Sequence, residues 1–290
     1  MHFKDAFRAQ YYLSSLEREI ACANANIALL PFLPRERESF LCDFGSAVAE
    51  ELDQILLPVV AHEIHIAKQA GILKGNTPSA RYLNFFIQEG TYTAHARSIT
   101  EKYPFLFEMI DGVIKASFLN LLLCLKRFNL DYNEIREHFN LPASYSIQKI
   151  KILSSSDRHR DQQALLIELS NKSTLIYKPV DLRPDGLFAQ FIHAMDFSEP
   201  FNLWSRKQLA KEGYGWLDYV PVQECQSLDD VKAYYKRMGV LLAVCDALTL
   251  MVIAKISWLM LLFLYFWTGK LCFKITPCRF PKEKALYRLI

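Results

Sequence analysis

"ALLIELSNKSTLIYKPV" occupies Ala164–Val180, and its reading decides the fold. Ala164 to Leu169 and Thr174 to Val180 are short β-rich runs. Asn171-Lys172-Ser173 between them has the chemistry of a tight turn, so the stretch is predicted to be a hairpin. Side chains alternate along a strand, which puts Lys178 on the side of Ile176 and opposite Leu175 and Tyr177. A lysine beside an apolar face either snorkels to water or meets an anion. Kinase-like folds use a strand lysine of this kind to hold nucleotide phosphates.

Upstream of the hairpin, residues up to about Leu141 read as helical. Glu51 to Leu73 carries apolar residues at helical spacing, with Pro58 as a kink. Thr77 before Pro78 is a helix start after the break at Gly75-Asn76. Phe105 to Phe128 is a strongly apolar helix; Asp111, Lys115 and Lys126 within it argue for packing between neighbours and against a membrane. Downstream, Trp216 to Val222 is a third strand, introduced by Gly213 and Gly215. Ser227 then opens a helix with Asp230 in the capping-box position. Its apolar face is Val231, Tyr234, Met238, Leu241, Leu242 and Cys245. The expected class is α+β: a helical region over 1–145, a small β-containing lobe with its following helix over 146–250, and an apolar tail over 251–290.

The chain has 290 residues, enough for a sizeable core. Its 34 basic and 31 acidic residues give a formal charge of +3, which argues against an electrostatic nucleic-acid binder. Hydrophobic content of 51% and aromatic content of 13% exclude a disordered chain. The seven cysteines form no CxxC pair, so neither a zinc site nor a disulfide framework is expected, and a reducing cytoplasm is the predicted location. The N-terminus has no apolar core of a signal peptide.

Two further clusters carry candidate chemistry. His62-Glu63-Ile64-His65 is not a zinc-protease motif, because its histidines sit three apart with no third ligand evident; it reads as a helix surface or as satisfied core histidines. Ser156-Asp157-Arg158-His159 lies in a polar loop just before the hairpin, where Asp157 and His159 suit contact with phosphate or metal.

The stretch SDRHRDQQALLIELSNKSTLIYKPVDL, followed by EGYGWLDYV and VKAYYKRMGVLLAVCDALTL, resembles the dehydratase domain of class II lanthipeptide synthetases, the LanM type. That family has a GDxHxxG loop, a hairpin ending in YKP, a "GW-acidic-aromatic-V" strand and a YYRRxGxLLAL helix. Upstream, AGILKGNTPSARYLNFF and EKYPFLFEMID resemble its DTPEERF-like and YPVL-like segments. The resemblance covers roughly Glu51 to Leu250, and it rests on the order and spacing of the motifs together. It implies a lipid-kinase-like fold that phosphorylates Ser and Thr of a precursor peptide with ATP and Mg²⁺, then eliminates phosphate to leave dehydroamino acids. It places Asp157, His159 and Lys178 at active-site positions, with Lys178 also holding the nucleotide. Ser156 stands where the family has its first loop glycine, and Gln163 or a neighbour stands at the second.

After the YYRRxGxLLAL helix the family continues with TDxHxENxI and PxLxDxEtLLQ, which carry catalytic-loop and metal-binding residues. This chain instead reads MVIAKISWLMLLFLYFWTGK over Met251–Lys270. Reading each codon's last base with the first two of the next restores the pattern. Met251-Val252 then encodes glycine and Trp267-Thr268 aspartate whatever codons are used; Lys255-Ile256 gives Asn or Asp, and Leu250-Met251 permits Asp. The expectation is a frameshift at or just before Leu250, with out-of-frame translation beyond it. The chain is then a non-catalytic remnant of a lanthipeptide dehydratase, unable to use ATP and Mg²⁺ for turnover. The alternative is a peptide-binding module anchored by its tail, since Met251–Lys270 is close to the ~20 residues that span a bilayer.

Overall fold

The computed structural model describes residues 11–28, 30–33, 37–88, 91–153, 163–195, 198, 201, 203, 205–221 and 225–247. The chain divides into two compact units, Met1–Ser173 and Thr174–Ile290.

In the first unit the helices are α1 (Leu13–Ile27), α2 (Arg37–Gln69), α3 (Pro78–Phe86), α4 (Ala94–Lys102) and α5 (Pro104–His138). A two-residue ladder of β1 (Ile87–Gln88) and β2 (Thr91–Tyr92) separates α3 from α4. α2 is longer than its sequence signal and runs through Pro58 without ending. Its buried residues Phe40, Phe44, Val48, Leu52, Leu56 and Val60 recur every four positions and make one apolar stripe. α5 supplies a matching stripe of Ile110, Ile114, Phe118, Leu121, Leu125 and Phe128. Phe44 meets Phe118 edge to face at 5.5 Å, a favoured aromatic geometry. α1 packs against both long helices. Gly45 permits its close approach: a Cβ there would lie 2.9 Å from Ile20 Cδ1. The helix start expected at Thr77 is present, with its hydroxyl accepting from the Ala80 amide at 3.1 Å.

Two tyrosines fasten the end of α5 to the segment that leads into the sheet. Tyr132 Oη donates to the Tyr145 carbonyl at 2.9 Å, and Tyr145 Oη donates to the Tyr132 carbonyl at 2.7 Å. Their rings stack 4.3 Å apart. The chain then enters β3 (Ile147–Ile152), which pairs antiparallel with β4 (Leu165–Leu169). The sequence pattern does not reveal β3, because a register shift between Ile147 and Lys149 breaks its alternation. The turn expected at Asn171-Lys172-Ser173 forms: the Leu169 amide donates to the Ser173 carbonyl at 2.9 Å. Lys172 takes the left-handed φ of 67°, and the Asn171 side chain accepts from the Ser173 amide at 3.1 Å.

The second unit holds β5 (Thr174–Lys178), α6 (Arg183–Ala194), β6 (Gln208–Lys211), β7 (Tyr214–Asp218) and α7 (Leu228–Ala247). Both β5 and β6 pair antiparallel with β7, which lies between them. The third strand starts at Tyr214 and ends at Asp218, earlier at both ends than expected, because Gly213 forms the turn at φ 77° while Gly215 lies within the strand. β5 is buried on both faces, so alternation does not divide it into a wet and a dry side. Tyr177 and Trp216 are opposite in register, with rings 5.1 Å apart. The capping box of α7 is reciprocal: the Asp230 amide donates to Ser227 Oγ at 3.1 Å, and the Ser227 amide to Asp230 Oδ2 at 2.9 Å. Val244 of α7 packs with Ile192 of α6, so the apolar face is centred on Leu241 and Val244. The side chain of Cys245, expected on that face, lies outside the described residues. Cys225 is disulfide-bonded, a single bridge among the described residues where no disulfide framework is expected, while Cys22, Cys42 and Cys124 are free. No helix among the described residues is long and apolar enough to cross a membrane; the run Met251–Lys270 lies outside them.

Gly215 has no room for a side chain: a Cβ would collide with Leu182 and come within 2.9 Å of the Leu209 carbonyl. Gly215→Ala should therefore cost about 1–3 kcal/mol, read as a lowered melting temperature. Glu63 is buried in α2, which works against its charge, yet Lys102 Nζ at 2.7 Å and Tyr103 Oη at 2.6 Å outweigh that and hold its carboxyl below the ordinary range. A depressed carboxylate stabilises the fold above its unfolded pKa of about 4.3 and loses that contribution as pH falls through the folded value. Glu63→Gln should cost on the order of 1 kcal/mol at neutral pH and flatten the acid limb of a pH–stability curve.

Candidate functional site

Lys178 is the candidate residue whose surroundings are best defined. It ends β5, and its residue is only 9% exposed. The ladder sets it opposite Gly215 of β7. Burying an ammonium group is costly unless charge or hydrogen bonds compensate, and the next element brings a carboxyl group near enough to interact electrostatically with Lys178. Asp185 lies in the first turn of α6. Burial pushes its carboxyl above the ordinary range, against the pull of the positive charge of Lys178.

The local sequence explains how the acid comes to lie there. The Asp181 side chain accepts from the Arg183 amide at 2.9 Å and from Arg183 Nε at 2.8 Å, folding the chain into α6. Pro184 then occupies the first turn, where its missing N–H costs nothing. Leu182 is fully buried over Gly215, and its carbonyl accepts from Gln208 Nε2 at 3.4 Å. A strand lysine and a helix carboxyl are thereby held on one rigid scaffold. Such a pair can orient the ammonium group toward an anionic oxygen.

Asp185 was missed from the sequence, as was α6 itself. The signal was present: a proline and an acid in the first turn, followed by Leu187, Phe188, Phe191 and Ile192 at helical spacing. Asp157 and His159, the other two candidate residues, lie outside the described residues. The His62-Glu63-Ile64-His65 cluster is structural, as expected: His62 and His65 are exposed, while Glu63 is committed to Lys102 and Tyr103. Among the described residues no group of three or more His, Cys, Asp or Glu side chains could hold a metal ion.

Residues 103–251 match the family described as a domain of unknown function, DUF4135. Over 219 residues the chain is 29% identical to the lacticin 481/lactococcin biosynthesis protein LcnDR2 of Lactococcus lactis subsp. lactis. The alignment takes in 70% of this chain and 23% of that relative, so the chain spans less than a quarter of the length of the protein it matches. Lys178, Asp185 and the scaffold that joins them all fall inside the matched segment. The chain thus belongs to the DUF4135 family, and its resemblance to class II, LanM-type lanthipeptide synthetases stands.

Proposed function

We propose that the chain is part of a lanthipeptide dehydratase and that Lys178, backed by Asp185, is the phosphate-holding corner of its kinase-like lobe. The observation that supports this reading is the nearly buried strand lysine with a carboxyl in the first turn of the following helix. Protein kinases position their nucleotide lysine with an ion pair from a helix, and this arrangement is analogous in placing an acid of the following helix near the strand lysine. The similarity to a protein of lacticin 481 biosynthesis supports a precursor peptide as substrate.

ATP would supply the phosphoryl group. In the proposed reaction the hydroxyl of a peptide Ser or Thr gives its proton to a base, its oxygen bonds to the γ-phosphorus, and the bond from that phosphorus to ADP breaks. A base then takes the α-proton and phosphate leaves the β-carbon, giving dehydroalanine or dehydrobutyrine. The role of Lys178 is electrostatic in both halves: it holds phosphate oxygens and does not react. The resemblance gives Asp157 and His159 to the same chemistry. The described residues fit the nucleotide phosphates through Lys178, but they supply no cluster suited to Mg²⁺, so no step is assigned through the metal. The family places those ligands beyond α7, in the segment that reads as shifted out of frame.

The chain should therefore bind nucleotide without completing dehydration. In titrations of a fluorescent ATP analogue, Lys178→Ala should weaken binding roughly tenfold or more, the loss of a charge-assisted contact. Mass spectrometry of a co-expressed precursor should show no loss of water. Equal affinity of wild type and Lys178→Ala would overturn the assignment of Lys178, and dehydrated precursor would overturn the expectation of inactivity.

A further inference from the structure

α5 carries a second apolar stripe, on the side away from the core of its unit. Phe105 is 77% exposed, Met109 40%, Leu119 57% and Leu130 70%. Gly112, Ala116 and Leu123 fall in line with them, Gly112 exposed and the other two half-buried. With Lys126, the positions run 105, 109, 112, 116, 119, 123, 126 and 130, in steps that alternate four and three. That alternation averages about 3.5 residues, the spacing of a helix that packs along its length against another helix. A helix side meant for water carries polar residues. Single exposed apolar side chains are ordinary, but a line of them over about seven turns marks a contact surface.

Gly112, near the middle of this line, is a second and separate observation. Glycine is among the poorest helix formers, and inside a helix it calls for a reason. At Gly45 the reason is the close approach of α1. At Gly112 the packing of the unit gives none: beyond the local helix backbone, a Cβ there would meet no atom among the described residues within 4 Å. With Ala116 one turn later, it leaves a shallow hollow in the stripe that would receive a large side chain from a facing helix. The charges beside the stripe are few. Lys115 is engaged within the chain by Asp111 at 2.6 Å. Glu108 and Lys126 are exposed, one toward each end.

We propose that this stripe pairs with the same stripe of a second copy of the chain, the two α5 helices lying antiparallel about a two-fold axis level with Ser117 and Phe118. A two-fold contact must be complementary to itself: where residue i meets j, j meets i. With the axis at that level, Gly112 faces Leu123 and Ala116 faces Leu119, so each small residue receives a large one, and each contact occurs twice. Farther out, Met109 faces the aliphatic stem of Lys126, whose ammonium reaches Glu108 of the second copy, and Phe105 faces Leu130. A parallel pairing would set Gly112 against Gly112 and Lys126 against Lys126, which leaves a gap and brings like charges together. One helix from each copy supplies fewer residues than the roughly 20–30 a side of a standard interface, so the dimer forms at micromolar rather than nanomolar concentration. The pairing uses no residue of the phosphate-holding corner and stands apart from the dehydratase reading.

Sedimentation equilibrium of the full chain, from about 1 to about 100 µM, tests the pairing. Wild type should pass from 33.6 kDa to twice that mass. Leu119→Glu should weaken association by roughly tenfold or more. Glu108→Lys and Lys126→Glu each set like charges together across the seam, and each should weaken association by about tenfold. The double variant exchanges the two charges and should recover wild-type association. Glu108 and Lys126 are exposed, so these variants keep the fold. Gly112→Leu has space within one chain, so the dilute chain should melt no lower than wild type while its dimer weakens against Leu123 of the second copy. A chain that stays at 33.6 kDa throughout overturns the proposal. Binding of a lanthipeptide precursor to such a monomer, lost in Leu119→Glu, would give the face to the peptide instead. A dimer that survives Leu119→Glu, or a double charge reversal no better than either single one, overturns it as well, since association would then run through another surface or another register.

Discussion

Removing a few polar side chains from water is the constraint on which both units depend. Burying an amide or a charge without a partner costs several kcal/mol, a large part of the roughly 5–15 kcal/mol by which a domain is stable. The secondary structure must therefore deliver partners to fixed points. Glu63 is met by Lys102 and Tyr103 across the ends of two helices. Gln163 is met by α2 and α5 together. Asp185, in the first turn of the helix after β5, interacts electrostatically with Lys178. In each case the apolar packing sets the distance, and the polar contact selects among arrangements that packing alone would tolerate.

The two units solve this with different means. The first has long apolar stripes on α2 and α5, which supply its framework by packing alone. Polar residues are then used at its margins, where Tyr132 and Tyr145 clasp the end of α5 and Asn120 and Glu51 seize the start of β4. The second has short strands and no helix as long as α2 or α5. It relies on close approach: Leu182 fills the space above Gly215, and the first turn of α6 leans on Gln208 of β6. A tightly seated helix start is what a strand lysine needs if its ammonium is to be aimed consistently at phosphate oxygens.

Much of the architecture was legible in the chain because it is encoded locally. Thr77 before Pro78, Asn171-Lys172-Ser173, and Ser227 with Asp230 each form bonds within a few residues, so their chemistry announces the structure. The apolar helix from Phe105 was equally plain. β3, β6 and α6 were not legible. β3 has a shifted register, and β6 is four half-buried residues with no alternation. α6 is a short helix wedged between two strands, and its proline and acid also suit a turn.

The candidate site divides along the same line. Sequence alone determined Lys178 as a strand residue beside apolar neighbours, and the order of motifs pointed to Asp157 and His159. Only the tertiary structure decided that β5 is buried on both faces, that Asp185 interacts electrostatically with the lysine, and that Gln163 is held by residues 43 and 112 positions away. Turns and caps are dictated by nearest neighbours along the chain, where geometry leaves little choice. A buried charge or amide is compensated by whatever the fold brings within about 3 Å, and no spacing in a one-dimensional sequence specifies that distance.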